Sequence, residues 1–176
     1  AFVFEEDSSG APRKQPYFKF VADAITMTPS GTSGSINLTC STDHFVSGHA
    51  GTIFRYSTSS DLATYKEILI NSITSATVAA CSTRETLAAT TAQVHWDEQT
   101  FSAVRGYPRA VCFHDQRLCF AGSVSRPDGF WGSQAGGFFN FDVDDATDED
   151  SIDATVAADD IAEIRHLISS RNIQLF

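Results

Sequence analysis

The stretch from residue 106 to residue 141 constrains the fold more than any other part of the sequence. Short apolar segments alternate there with polar or glycine-rich breaks, a pattern typical of antiparallel strands joined by tight connections. The predicted strands cover residues 111–113, 118–121, 130–131 and 138–141, and the predicted turns cover residues 114–117, 127–129 and 136–137. Four short strands in about 36 residues make a unit the size of one propeller blade.

Residues 17 to 104 carry further strand signals at short spacing. The predicted strands cover residues 17–21, 36–40, 52–57, 66–73 and 76–81, while residues 83–91 are predicted to form a loop. No helix of normal length is expected before residue 155. The predicted fold class is therefore all-β, with a linker over residues 1–16, a small β-sandwich or barrel over 17–104 and the first blade of an incomplete β-propeller over 105–176.

Composition excludes several classes of function. The net charge of −10 argues against binding nucleic acid by phosphate neutralisation, which needs clustered Lys and Arg. No apolar run approaches the roughly 18 residues that would predict a membrane span. Because the sequence does not begin with Met and stops on an apolar run, we expect it to be a piece of a longer polypeptide.

The five histidines give no sequence pattern for chemistry. His44 and His49 lie five residues apart, and His95, His114 and His166 are scattered. A zinc site needs three or four convergent ligands, and neither a G-x-S-x-G elbow nor a phosphate loop is present. We therefore predict no catalytic residue, no metal ligand and no cofactor, with the histidines making local hydrogen bonds.

The four cysteines match no metal spacing. A turn centred on residues 115 and 116 would place Cys112 directly opposite Cys119 across a hairpin. We interpret the two as buried, reduced thiols; the alternative is a disulfide, which intact mass measured with and without reductant would reveal.

Two later segments leave alternatives. Residues 142–153 are so acidic that a solvated loop is the preferred interpretation, and a calcium loop would lack the glycine required at its sixth position, where Thr147 stands. Within residues 157–169 the apolar spacing favours a helix, whereas a strand over 163–167 agrees better with the resemblance described below. We predict the strand, followed by a turn over residues 169–172.

Two features within residues 106–141 are interpreted as structural. Residues 125–131 are similar to the Asp-box turn of sialidase-type propellers, with the spacing compressed around Asp128. Arg109 and Arg117 are predicted to bind loop carbonyls or a neighbouring carboxylate rather than a ligand.

The motifs themselves resemble a known family. They are Trp96 with Phe101-Ser102, the Gly106-Tyr107-Pro108-Arg109 segment, the run from Phe113 to Gly122, and the run from Trp131 to Phe141 that ends in Asn140-Phe141. With the upstream Phe45-x-x-x-His49-x-Gly51-Thr52-x-x-Arg55 segment, they resemble the tail tubular protein B, or nozzle, family of short-tailed bacteriophages. The likeness covers about residues 17–176. Cys112 and Cys119 stand where other apolar residues are usual, and Ala50 stands where a larger aliphatic residue is expected.

The resemblance implies a structural virion protein and no enzyme. Such proteins form a homo-oligomeric ring of six copies below the portal and adaptor, and are assembled in the host cytoplasm. The ring combines a β-propeller with inserted β-domains around a channel through which the genome leaves, so DNA passes without specific binding. The acidic balance agrees with such a channel, because a negative wall repels phosphate.

Two alternatives remain open at this point. One is a carbohydrate-binding β-domain or receptor-binding tail protein, in which Trp96, Trp131 and tyrosines would stack on sugars. The other is a propeller glycosidase fragment, which would need paired carboxylates at about 5–10 Å.

Overall fold

A computed structural model describes residues 14–143, 148–156 and 163–176. Its residues group into two units: the first is Tyr17–Val104, and the second joins residues 14–16 to Arg105–Phe176. The fold is all-β, with 43% strand in several antiparallel sheets, none of which closes into a barrel. The predicted fold class is confirmed at this level.

The first unit contains one seven-stranded sheet. Its strands are β1 (Tyr17–Phe18), β2 (Met27–Pro29), β3 (Ser35–Cys40), β4 (Ile53–Tyr56), β5 (Lys66–Ser75), β6 (Val78–Thr83) and β7 (Trp96–Gln99). Their order across the sheet is β1-β7-β4-β5-β6-β3-β2, with every pairing antiparallel. This order brings β7, from the end of the unit, between β1 and β4.

One face of this sheet supplies the core of the first unit. On β3 the buried residues Ile36, Leu38 and Cys40 alternate with exposed ones, as the period-two pattern predicts. They pack with apolar side chains of the other strands, and the fully buried members include Met27, Phe54, Tyr56, Ile68, Ile70 and Trp96.

The structure adds elements to the first unit that the sequence pattern did not predict. Strand β2 lies in a turn-rich segment, where Met27 pairs with Cys40 of β3 and bridges to Gln93. Two short 3-10 helices cover Ser47–His49 and Leu62–Thr64. The segment 83–91 contains no helix, as predicted.

The second unit is built on a four-stranded antiparallel sheet. Its strands β8 (Ala110–His114), β9 (Arg117–Ala121), β10 (Gly129–Gly132) and β11 (Ile152–Thr155) are adjacent in chain order, which makes the sheet a meander. The predicted hairpin register is confirmed, because Cys112 faces Cys119 and His114 faces Arg117.

The turn that connects β8 and β9 contains two residues with left-handed backbone, Asp115 at φ 44° and Gln116 at φ 60°. Two consecutive positive φ values are typical of a type I′ turn, which Asn-Gly satisfies with less strain than Asp-Gln. We expect the double change Asp115→Asn, Gln116→Gly to raise the free energy of unfolding by about 1 kcal/mol, measured by urea denaturation. Asp128→Asn is the control, since Asp128 lies in a turn without positive φ. An unchanged or lower midpoint for the double variant would contradict the expectation.

The predicted fourth strand of the meander, residues 138–141, was wrong. The fourth strand of the sheet is β11, whose Asp153 pairs with Trp131 of β10. Residues 134–140 form tight turns instead, with Gly136 at φ 72° and an Asn140 N–H that donates to the Gly137 carbonyl at 2.9 Å. Consecutive turns leave no extended backbone to continue the sheet, although Phe141 still stacks on Phe120 at 5.4 Å.

The solvated loop predicted for residues 142–153 ends earlier than predicted, because β11 begins at Ile152. Residues 144–147 of this loop lie outside the described part of the chain.

A short hairpin ends the second unit. Strand β12 (Leu167–Ser169) pairs with β13 (Ile173–Leu175) across the turn predicted at 169–172. The predicted strand over residues 163–167 was wrong for residues 163–166, which form neither strand nor helix, and β12 shares only Leu167 with it. The preference for a strand over a helix holds for residues 167–169. The part of the prediction that concerns residues 157–162 lies outside the described residues.

The two faces of the meander differ in how well they are covered. Ala110 and Ala121 lie on a face packed by Ile164, with Leu167 and Leu175 of the terminal hairpin beside it. On the other face Val111, Phe120 and Trp131 are in register across three strands. Trp131 is fully buried there, whereas Val111 on the edge strand is 60% exposed.

Among the described residues, no helix has the length and apolar character needed to cross a membrane. The sequence-based expectation of no helical membrane span agrees with this finding.

Candidate functional site

The strongest cluster of chemically active side chains lies in the first unit. It consists of His44, His49 and Glu98, whose ligand-type atoms all lie within 4.8 Å of one another. We call these three residues the His-Glu-His cluster. Their side chains are 3%, 1% and 0% exposed, so the cluster is closed to solvent.

Three separate elements position the cluster. His44 lies in the loop after β3, where its N–H and that of Phe45 both donate to the Ala76 carbonyl at 2.8 Å. His49 ends the 3-10 helix Ser47–His49, and Glu98 projects inward from β7. The strand order explains the convergence, because β7 pairs with β4, which begins four residues after His49.

Each imidazole faces a different oxygen of the one carboxylate. His44 Nε2 lies 3.2 Å from Glu98 Oε1, and His49 Nε2 lies 3.2 Å from Glu98 Oε2. The second contact has hydrogen-bond geometry. The first does not, and His44 Nε2 is a buried atom without a hydrogen-bond partner even though the ion-pair distance is met. Because hydrogen bonds weaken steeply as they depart from linearity, the short distance between His44 Nε2 and Glu98 Oε1 does not amount to a hydrogen bond.

Aromatic rings surround the cluster and keep it dry. The His44 ring lies 5.2 Å from Trp96 and 5.9 Å from Phe54 between ring centroids, and it stacks on His49 at 5.3 Å. Phe45 packs edge-on to both histidines. An ionised carboxylate in such surroundings needs a compensating positive charge, because burial of an isolated charge is strongly unfavourable.

The hydrogen bond on the far side of His49 sets its tautomer. The Val46 N–H donates to His49 Nδ1 at 3.1 Å, so a neutral His49 carries its proton on Nε2, facing Glu98. A metal on Nε2 would displace that proton to Nδ1, where it would face the Val46 N–H, so this hydrogen bond would be lost. Two donors left without acceptors cost about 2–6 kcal/mol, against about 10 kcal/mol or more released at structural zinc sites. The tautomer therefore does not prevent metal ligation.

The cluster can hold a proton or a metal ion, and it is unsuited to catalysis on an external substrate. Two imidazoles and a carboxylate are ligands of zinc and related divalent metals. A catalytic metal needs an open coordination position, which side chains at 0–3% exposure do not offer.

The other histidines do not join the cluster. His114 Nδ1 lies 3.0 Å from Ser169 Oγ in the second unit, and His166 is exposed. His95 is partly exposed next to Trp96. The prediction of local hydrogen bonds describes the Val46–His49 contact but not that of His114, whose partner Ser169 lies 55 residues away. It also missed the convergence of His44 and His49 with Glu98. The signal for that convergence was an acid at an inward position of β7, which is meaningful only after the strand order is known.

Arg117 performs the role predicted for it. Its Nη1 donates to the carbonyls of Ser133 at 2.6 Å and Asp150 at 2.5 Å, and its Nη2 donates to the Asp148 carbonyl at 2.5 Å. Arg109 likewise forms an ion pair with Glu163. Both guanidinium groups are used to hold the second unit together.

The turn at residues 125–131 is also structural in its contacts. Arg126 forms a two-pronged ion pair with Asp153, with N–O distances of 3.0 and 2.8 Å, and lies 5.0 Å from the Trp131 ring. Gly129 is required because a Cβ there would come within 2.5 Å of that ring. The polar residues of this motif are therefore occupied by intramolecular contacts.

The first and last acids of the acidic segment are paired with cations. Asp142 contacts Lys14 at 2.7 Å, and Asp153 is bound by Arg126. These are the first and twelfth positions of the calcium alignment considered above, and both carboxylates are engaged by the protein's own side chains.

The opposed cysteines are poor nucleophiles. Burial raises the pKa of Cys119 to about 11, and burial also raises the pKa of Cys112. Both thiols stay protonated at neutral pH, and the thiolate is the reactive form. The pair therefore agrees with packing between β8 and β9 rather than with thiol chemistry.

No model of a known protein family matches the sequence, and no curated protein matches it.

Proposed function

We propose that this chain is a structural part of a bacteriophage tail nozzle, acting through assembly and without catalysis. It would contribute to a ring that conducts the genome, in contact with further copies, the adaptor and other tail proteins. The support comes from the motif residues that resemble the nozzle family, together with what those residues do in the fold.

The main support for the proposal is that the polar motif residues of the second unit form contacts within that unit, whereas many of its apolar residues are exposed. The polar motif residues Arg117, Ser133 and Asn140 hold its own turns: Ser133 Oγ accepts the Leu118 N–H at 3.0 Å, and Asn140 Nδ2 donates to Gln134 Oε1 at 2.9 Å. An enzyme or ligand-binding protein would instead leave some polar motif groups pointing at a site.

The apolar residues of the same unit point to assembly. Of the thirteen large apolar side chains that are exposed among the described residues, ten belong to the second unit. Val111 and Phe113, on edge strand β8, are 60% and 64% exposed. Apolar patches on a sheet edge of this kind mark interaction surfaces.

The carbohydrate-binding alternative loses the two tryptophans on which it depended. Trp96 is 1% exposed and Trp131 is fully buried, so neither can stack on a sugar. Tyr56 is also buried, and Tyr107 is partly exposed at 46%. We therefore retain the structural function alone.

Electron microscopy of the full-length protein tests the proposal. We expect a sixfold ring for the wild type, and loss of the ring in the double variant Val111→Ser, Phe113→Ser, because exposed apolar side chains lost from an interface weaken it without removing a core contact. Phe18→Ser is the matched control, since Phe18 is an exposed phenylalanine (38%) of the first unit. A monodisperse monomer that joins no tail complex would refute the proposal.

A further inference from the structure

We propose that the His-Glu-His cluster binds a divalent transition-metal ion, zinc above all, as a closed structural site within the first unit. His44 Nε2, His49 Nε2 and the Glu98 carboxylate would be the ligands. This site is independent of the tail function proposed above, because it concerns the internal stability of the first unit.

The spacing of the ligand atoms fits a tetrahedral ion. Zinc lies about 2.0–2.1 Å from nitrogen and oxygen ligands, so neighbouring ligands of a tetrahedron are about 3.3 Å apart. Both nitrogen–oxygen distances in the cluster are 3.2 Å. A charge-assisted hydrogen bond between imidazolium and carboxylate would be shorter, at about 2.7–2.9 Å.

The ring arrangement agrees with the same geometry. The two imidazole centroids are 5.3 Å apart with planes inclined by 20°. Two histidines bound through Nε2 at a tetrahedral angle bring their ring centroids to about 5.2 Å, given the zinc–nitrogen distance above. The imidazole rings of His44 and His49 can therefore bind one ion in the positions that they have in the structure.

The unsatisfied nitrogen of His44 supplies an independent argument. Buried polar atoms in folded proteins almost always have a partner, and His44 Nε2 has no hydrogen bond. It is within the cluster, 3.2 Å from Glu98 Oε1. A metal ion between the two would satisfy this atom.

The ligand types select the metal. Two imidazole nitrogens favour zinc, cobalt or nickel over calcium and magnesium, which prefer oxygen ligands. Because His44 and His49 face different oxygens of Glu98, the carboxylate can chelate the ion through both, which leaves no place for water. The tetrahedron is then distorted, because the two oxygens of one carboxylate lie closer together than tetrahedral neighbours. The ion would then join the loop after β3, the 3-10 helix Ser47–His49 and strand β7.

Metal titration of the whole chain tests the site. Protein without an affinity tag is treated with EDTA, dialysed, and titrated with zinc by calorimetry and with cobalt(II) by visible absorption. We expect about one ion per chain, a cobalt spectrum with the strong visible bands of a tetrahedral site, and a rise in Tm with zinc that EDTA reverses. In Glu98→Gln we expect at least a tenfold loss of affinity, and in His166→Asn, an exposed histidine outside the cluster, no change.

Each outcome decides the question. Wild-type protein that takes up no zinc, or a zinc-bound protein whose affinity is unchanged by Glu98→Gln, overturns the proposal. If Glu98→Gln does not fold, the wild-type chain decides: the cobalt spectrum and the zinc-dependent Tm must both appear, and the absence of either refutes the site. An octahedral, weakly absorbing cobalt spectrum counts against it as well.

Discussion

Gly122→Ala is expected to lower the free energy of unfolding of the second unit by about 3–4 kcal/mol. Gly122 has φ 60°, and a Cβ on it would come within 2.2 Å of the carbonyl oxygen of Ile164. The left-handed backbone alone costs a non-glycine residue about 1–2 kcal/mol, and displacement of a packed neighbour adds about 1–3 kcal/mol. Because Ile164 is buried against Ala110 and Ala121, its backbone cannot move without disturbing that core.

Urea denaturation measures this effect, with tryptophan fluorescence as the readout. The sequence has two tryptophans, Trp96 in the first unit and Trp131 in the second, so a Trp96→Phe background reports on the second unit alone. Gly136→Ala is the control: its φ is 72°, but a Cβ there meets no atom within 4 Å. It should cost only the backbone strain, about 1 kcal/mol. Equal losses in the two variants would show that the contact with Ile164 is unimportant.

Local sequence patterns predicted those parts of the fold whose partners are close in sequence. The register of the β8–β9 hairpin was predicted correctly, because a four-residue polar break between apolar runs fixes it, although the strands are longer than predicted. The alternation on β3 was equally direct. Residues 138–141 show the limit of this reasoning, since aromatic composition favours a strand while the preceding glycine turn prevents one.

The candidate site could not be predicted in the same way, since it depends on long-range pairing. His49 and Glu98 are brought together only because β7 returns to pair with β4. Glu98 also looks like a surface residue in sequence, next to Asp97, whose carboxylate binds Arg55 at 2.9 Å. Neighbouring residues on a strand point to opposite faces, and only the sheet order reveals which of the two acids is buried.

Arg117→Ala is expected to destabilise the second unit by about 2–4 kcal/mol and to loosen the segment around residues 148–150. The guanidinium donates to three backbone carbonyls, two of which belong to Asp148 and Asp150. A hydrogen bond from a charged donor is worth about 1.5–3 kcal/mol, but water can replace the exposed one, so the sum is reduced. Urea denaturation gives the stability, and limited proteolysis with an acid-specific protease should show faster cleavage after Asp148, Glu149 or Asp150.

Two further variants separate the geometry of Arg117 from its charge. Arg117→Lys keeps the charge but lacks the planar fork that reaches several carbonyls, so it should recover less than half of the loss. Arg171→Ala removes an exposed arginine of the same unit and should leave both stability and cleavage unchanged. If Arg117→Lys restored wild-type stability, the charge beside the acidic segment would be the stabilising factor. The three directed hydrogen bonds would then be secondary to electrostatic attraction.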